Sequence, residues 1–255
     1  MDLYVESSGS GTDIVLLHGW GMNAAVWDEV AIDLAKRFRV HCVDLPGHGN
    51  SPASEPQTLD AMTDALSAVF PQPTTVCGWS LGGQVALNWA LRVPSQVMRL
   101  VLIATTPRFV NGAQWLSGID AGLFEELARA LAEDCRATLQ RFLALQAQED
   151  ADSREVLRRL RQTVSKRAEP MVAALAGGLR ILEATDLRDS LPRIAQPALI
   201  MHGARDAIVP LAAGAFLQRA LVRAELEVFA GAGHAPFVAS PQRAARRIVE
   251  FCNER

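Results

Sequence analysis

Cysteine is scarce and scattered. Four occur in 255 residues, Cys42, Cys77, Cys135 and Cys252, and none form a C-x-x-C pair. That excludes a disulfide framework and a thioredoxin-like redox motif, and it points to a reducing compartment. No apolar run approaches the roughly 20 residues that span a bilayer. The first residues, Met1-Asp2-Leu3-Tyr4-Val5-Glu6, have neither the basic start nor the apolar stretch of a secretory signal. A cytoplasmic protein without a membrane role is expected, acting as a monomer. An excess of one charge is lacking as well: 25 Lys and Arg against 28 Asp and Glu leave a net −3, so nucleic acid is not an expected partner. His18, His41, His48 and His202 lie among apolar or glycine-rich neighbours, and no cluster has metal-ligand spacing. No metal and no cofactor are expected. Internal repeats and low-complexity runs are also missing.

What is present is a globular composition, 49% apolar and 21% charged, with enough chain for one full core. Ile14-Val15-Leu16-Leu17, Val40-His41-Cys42-Val43, Thr74-Thr75-Val76-Cys77 and Leu100-Val101-Leu102-Ile103 are short, β-branched-rich runs. Helical patterning lies between them, near 24–35, 59–69 and 81–92. Continuous rather than alternating apolar runs predict parallel strands covered on both faces. The pattern resumes with Ala198-Leu199-Ile200-Met201 and Leu226-Glu227-Val228-Phe229, followed by a helix from about Pro241 to Cys252. Residues 107–185 interrupt it with helical patterning alone, over Phe124–Ala132, Arg136–Gln146, Arg154–Lys166 and Met171–Leu182. The expectation is an α/β fold: a mostly parallel central sheet with helices on both faces, formed by 1–106 and 186–255. Residues 107–185 then form an inserted helical cap over the C-terminal ends of the strands, where open α/β sheets bind ligands.

Gly78-Trp79-Ser80-Leu81-Gly82 sits between a strand and a helix. A serine at such a corner needs small neighbours two residues to either side, because a side chain there would strike the turn. The corner lifts the Ser80 hydroxyl off the sheet beside a helix N-terminus, whose free N–H groups favour a developing oxyanion. Serine needs a base, and the base an orienting group. His234 lies in the glycine-rich stretch Gly231-Ala232-Gly233-His234 after the last strand, and Asp206 lies in the turn after the strand before it. Asp44 competes for the acid role but ends an early strand and is read as fixing its own turn, while Asp186 and Asp189 are read as helix or turn caps. The oxyanion needs two donors. Leu81, the residue after the nucleophile, supplies one amide; Trp20, in His18-Gly19-Trp20-Gly21 after the first parallel strand, supplies the other and walls the pocket with its indole. Turn packing is the competing role for His18 and Trp20.

These motifs, with Asp44-Leu45-Pro46-Gly47-His48-Gly49, resemble the α/β-hydrolase pattern along nearly the whole chain. A narrower resemblance rests on His18-Gly19-Trp20-Gly21-Met22-Asn23, Gly78-Trp79-Ser80-Leu81-Gly82-Gly83, Arg141-Phe142-Leu143-Ala144-Leu145-Gln146, Gly177-Gly178-Leu179-Arg180-Ile181-Leu182 and His234-Ala235-Pro236-Phe237. Together they are similar to the pimeloyl–acyl-carrier-protein methyl ester esterases of biotin synthesis. The resemblance implies hydrolysis of a methyl ester at the far end of a carrier-bound pimeloyl chain, giving the carboxylate and methanol. It also implies that Trp20, Leu81, Phe142, Leu143, Ala144, Leu145 and Gln146 line the substrate site.

Phe142, Leu143 and Leu145 would suit a methylene chain, with ordinary helix core as the competing role. From Arg154 to Arg167 there are six basic residues and one acid, Glu155. At 100° per residue Arg154, Arg158 and Arg161 share a face beside Leu157, Leu160 and Val164. With Arg141, and Arg136 nearby, this stripe suits docking of a small acidic carrier protein, although a solvated helix face has the same pattern. A general short-chain carboxylesterase, a carbon–carbon bond hydrolase and a receptor that retains the triad to hold a ligand share the motifs. Haloalkane dehalogenase and epoxide hydrolase chemistry is disfavoured, because those enzymes have Asp where Ser80 stands.

Overall fold

A computed structural model describes residues 2–253. Strands β1 (Val5–Gly9), β2 (Thr12–Leu17), β3 (Phe38–Val43) and β4 (Thr74–Trp79) alternate with α1 (Asp28–Leu34) and α2 (Leu59–Val69). Next come α3 (Leu81–Arg92) and β5 (Val97–Ile103), then four helices in succession: α4 (Ala121–Glu133), α5 (Cys135–Ala147), α6 (Ser153–Ser165) and α7 (Val172–Ala184). The chain returns to the sheet with β6 (Ala198–Gly203), α8 (Leu211–Ala220) and β7 (Ala224–Phe229), and closes with α9 (Pro236–Ala239) and α10 (Pro241–Asn253).

The sheet order is β1-β3-β2-β4-β5-β6-β7, and every neighbouring pair is parallel except β1 with β3. The α/β-hydrolase fold with a mostly parallel sheet is therefore present. Ile14–Leu17, Val76–Cys77 and Leu100–Ile103 are fully buried, as strands covered on both faces must be. The sequence reading missed β1. Val5-Glu6-Ser7-Ser8-Gly9 is a polar, mainly exposed edge strand with no apolar signal, held by its pairing to β3. Chain order reverses between β2 and β4, so the crevice outside their C-terminal ends is the topological switch point, where such sheets bind ligands.

Side-chain caps set the starts of several helices. Thr58, Asp120 and Asp134 accept the N–H groups of Ala61, Leu123 and Ala137 at the beginnings of α2, α4 and α5. The insertion α4–α7 is fastened to the C-terminal edge of the sheet. Trp20 Nε1 donates to Leu175 O at 2.8 Å, Asn23 Nδ2 to Thr163 O at 3.2 Å, and the Gly233 amide to Asp150 Oδ2 at 2.9 Å. Ion pairs of α6 and the residues after it with the core, Arg159–Glu29, Lys166–Asp28 and Arg167–Glu6, reinforce this. Among the described residues no helix is long and apolar enough to cross a membrane.

Candidate active site

Ser80 follows β4 directly, with φ 54° and ψ −115°. For a residue with a Cβ this is a strained conformation, costing on the order of 1–3 kcal/mol, and the surroundings hold it. The Ser80 amide donates to Ile103 O at 2.9 Å, and Thr105 Oγ1 donates to Ser80 O at 2.7 Å. Crowding explains both flanking glycines. A Cβ on Gly78 would lie 2.2 Å from Gly82 O, and one on Gly82 would lie 2.4 Å from Leu17 O. No other residue type fits either position without moving backbone.

His234 reaches Ser80 from the loop between β7 and α9. Its Nε2 is 3.1 Å from Ser80 Oγ, and its Nδ1 is 2.8 Å from Asp206 Oδ2. A carboxylate can only accept, so Nδ1 carries the proton and Nε2 presents a lone pair to the serine hydroxyl. The histidine backbone is pinned on both sides: its amide donates to Gln146 O at 3.2 Å, and its carbonyl accepts from Trp79 Nε1 at 2.9 Å. Asp206 Oδ1 accepts the amides of Ile208 and Val209 at 2.9 and 2.8 Å. Burial alone would raise the Asp206 carboxyl. The electrostatic attraction of the His234 ring, with its Nδ1–H bond and the His202 ring close by, overcomes that and holds it well below the usual carboxylate range. All three side chains are buried.

Leu81 is the first residue of α3, and Trp20 follows β2. Neither amide donates to a protein acceptor among the described residues, which leaves both N–H groups open to a ligand. The Trp20 ring is buried and packs edge-on against Phe142, with centroids 4.8 Å apart. The loop that carries Trp20 is braced by His18, whose Nδ1–H donates to Gly19 O at 2.7 Å while Nε2 accepts the Leu45 amide at 2.9 Å. Asp44 is fully committed away from Ser80: one oxygen accepts the Asn50 amide of its own turn at 2.8 Å, and the other bridges to the Ala24 amide in the segment after β2 at 2.6 Å. Asp186 lies apart from Ser80, paired with Arg108 and Arg188.

Burial lowers His18 to about 4 and His48, whose ring centroid is 5.2 Å away, to about 3. Both folded values lie below the unfolded value, so the unfolded chain gains protons first. Stability from these groups is complete above about pH 6.5 and is lost as the pH falls toward 4 and 3. At pH 5 each should cost roughly 2 kcal/mol. Moving from pH 7.5 to 5 is thus expected to lower the melting temperature by on the order of 10 °C. A melting temperature constant across that range in calorimetry would contradict the assignment.

The stretch Phe142–Gln146 divides among several environments. Phe142 touches Trp20, and Leu143 is fully buried in the helical insertion. Ala144 and Leu145 line an apolar groove of about 620 Å³ between α4, α5 and α6, together with Leu123, Leu127 and Leu157. Gln146 is buried and gives its carbonyl to His234, while its side-chain amide has no hydrogen-bond partner among the described residues. Phe142 also lines the groove, so it stands between that space and Trp20. Arg141, Arg154 and Glu126 lie on the groove as well. Arg141, Arg154 and Arg161 are exposed and have no ion-pair partner among the described residues. Arg158 differs, because Glu155 clasps it at 2.7 and 2.5 Å and Gln162 accepts its remaining nitrogen at 2.9 Å. The basic stripe is therefore narrower than a count of its arginines suggests. Arg136 faces Glu169 loosely, at 3.9 Å. Trp79 and Thr105, which brace the site, carry no signal of that role in the sequence.

A family model described as the alpha/beta hydrolase fold matches residues 13–241. The chain is 45% identical over 250 residues to the pimeloyl-[acyl-carrier protein] methyl ester esterase of Chromobacterium violaceum, covering 98% of each. It is 44% identical over 241 residues to that of Nitrosomonas europaea, covering 94% of this chain and 96% of the relative. Among solved structures it is similar to an esterase from Exiguobacterium antarcticum, with a TM-score of 0.90 and 25% identity, covering 99% of this chain and 96% of that one. On this likeness along nearly its whole length, the chain belongs to the α/β hydrolases and, among them, to the pimeloyl-[acyl-carrier protein] methyl ester esterase family of carboxylic ester hydrolases.

Proposed function

We propose that this protein hydrolyses the methyl ester at the far end of a pimeloyl chain borne by an acyl carrier protein, yielding methanol and the free carboxylate for biotin synthesis. The observation that carries the substrate is the nearly full-length identity to esterases of that name. Ser80 attacks the ester carbonyl while His234 Nε2 takes its proton. The amides of Leu81 and Trp20 receive the oxyanion, and Asp206 stabilises the imidazolium. Collapse of the tetrahedral intermediate expels methanol, which leaves with the proton from His234, and an acyl-Ser80 ester remains. Water then gives a proton to His234 and attacks that ester; the acid departs and Ser80 regains its proton. The step requires no cofactor.

Residues 107–185 act as a cap in this reading. The apolar groove and Phe142 guide the methylene chain toward Ser80, and Trp20, Leu81 and Leu143–Gln146 shape the pocket around it. Arg141, Arg154 and Arg161 face the acidic carrier, with Arg158 contributing less because Glu155 already neutralises it. Four free cysteines support a cytoplasmic setting.

Methanol release from methyl-pimeloyl carrier protein, compared with free methyl pimelate, tests the reading. The combined Arg141→Glu and Arg154→Glu change is expected to reduce the carrier-to-free ratio of kcat/KM about tenfold. It should also flatten the dependence of that ratio on salt. Equal efficiency on both substrates at every ionic strength would instead identify a general short-chain esterase.

A further inference from the structure

His202, at the end of β6, is completely buried, and nothing in the reaction just described calls on it. Its Nε2 lies 2.8 Å from Val209 O. A carbonyl oxygen only accepts, so Nε2 carries the proton. The same nitrogen is 3.5 Å from Asp206 Oδ2, the oxygen that holds His234. The other ring nitrogen, Nδ1, has no hydrogen-bond partner among the described residues. Gly214 of α8 makes room for it, since a Cβ there would come within 2.7 Å of Nδ1.

These contacts close on themselves. The Val209 carbonyl accepts from His202, and the Val209 amide donates to Asp206 Oδ1 at 2.8 Å. His202 thus steadies the loop that feeds one carboxylate oxygen, and it directs the positive end of an N–H dipole at the other. A buried carboxylate turns about its Cβ–Cγ bond unless both oxygens are held, and in a low-dielectric setting even a long N–H contact counts.

We infer that His202 is a positioning residue for the reaction, one that fixes the Asp206 carboxylate so that Oδ2 faces His234 Nδ1. The inference rests on Ser80, His234 and Asp206 acting as proposed above. It names a role for a residue that touches neither substrate nor the reacting atoms.

Two variants of matched size separate the donor from its bulk. His202→Gln keeps an N–H donor near the place of Nε2, whereas His202→Met has similar length and no donor. With free methyl butyrate as substrate, the Met variant is expected to lose about tenfold in kcat with KM within about twofold, and the Gln variant to stay within about threefold of the parent. Equal kcat in the two variants, whether both are impaired or both unimpaired, would overturn the inference by reducing His202 to core filling. Histidine ¹⁵N spectra of the unaltered protein give a check independent of any variant's folding. They must show His202 as the Nε2–H tautomer, and the Nδ1–H tautomer would overturn the proposal. Ser80→Ala serves as the control: residual turnover there defeats the reading of the site, while a dead Ser80→Ala protein with equal Gln and Met variants defeats only the role of His202.

Discussion

Ser80→Ala is expected to lower kcat by about 10⁶-fold while leaving the protein folded. The structure shows why these two outcomes separate. Among the described residues the hydroxyl makes a single hydrogen bond, to His234 Nε2 at 3.1 Å. The backbone is fixed by other means, through the Ile103 carbonyl and the Thr105 hydroxyl. Alanine bears a Cβ just as serine does, so the left-handed φ of 54° costs the two residues about the same. Melting temperature should therefore change by no more than about 4 °C, since the loss of one buried neutral hydrogen bond is worth about 1 kcal/mol. Binding of carrier-borne ester should persist, because the groove and the arginines are untouched. Methanol release above one-thousandth of the parental rate in the purified variant would remove Ser80 from the mechanism.

The strained corner was legible because its constraint is local. Gly78 and Gly82 are two residues from Ser80 on each side, and the clash each avoids is with backbone already close in sequence or directly beneath the elbow. Strands β2, β4 and β5 were readable for a similar reason: burial on both faces leaves continuous apolar runs. Strand β1 was hidden, since Glu6, Ser7 and Ser8 at an exposed edge need no apolar side chains and depend on β3 for their conformation. Four-residue α9, which starts at Pro236 just past the glycine-rich stretch ending at His234, was likewise not foreseen.

At the site, residues that follow strands announced themselves through short motifs, whereas those acting across long separations did not. Gln146 supports His234 through a backbone carbonyl, and no side-chain pattern encodes that. His202 is four residues from Asp206, but its Nε2–H bonds to Val209 O while lying 3.5 Å from Asp206 Oδ2 only because the chain turns back at Val209. The exception is Arg158. Glu155 stands three residues before it and four before Arg159, spacings that favour ion pairing on a helix. Both arginines do meet that glutamate, whose carboxyl is lowered to about 2 by hydrogen bonds from Arg158 and then Arg159. The narrowing of the basic stripe was thus written in the sequence.

The second large effect belongs to Asp206→Asn, for which kcat is expected to fall by about 10⁴ with KM little changed. An amide has one acceptor oxygen, and this position needs two. Oδ1 meets the Ile208 and Val209 amides, and Oδ2 meets His234 Nδ1–H with His202 Nε2–H beyond it. If the asparagine oxygen stays with the loop amides, its NH₂ group points at His234 and at another N–H on His202. His234 relieves the first conflict by moving its proton to Nε2, and that tautomer has no lone pair for the Ser80 proton. If the amide flips, the NH₂ group instead opposes two backbone N–H donors in a buried loop, at a cost of about 1–3 kcal/mol for each group left unsatisfied. The first arrangement is therefore favoured, and it yields a folded protein with the wrong imidazole tautomer. Parallel measurement of kcat, KM and melting temperature checks the argument. A rate within tenfold of the parent would show that Asp206 does not set the state of His234, and a comparable loss accompanied by a collapsed melting transition would assign the effect to the loop instead.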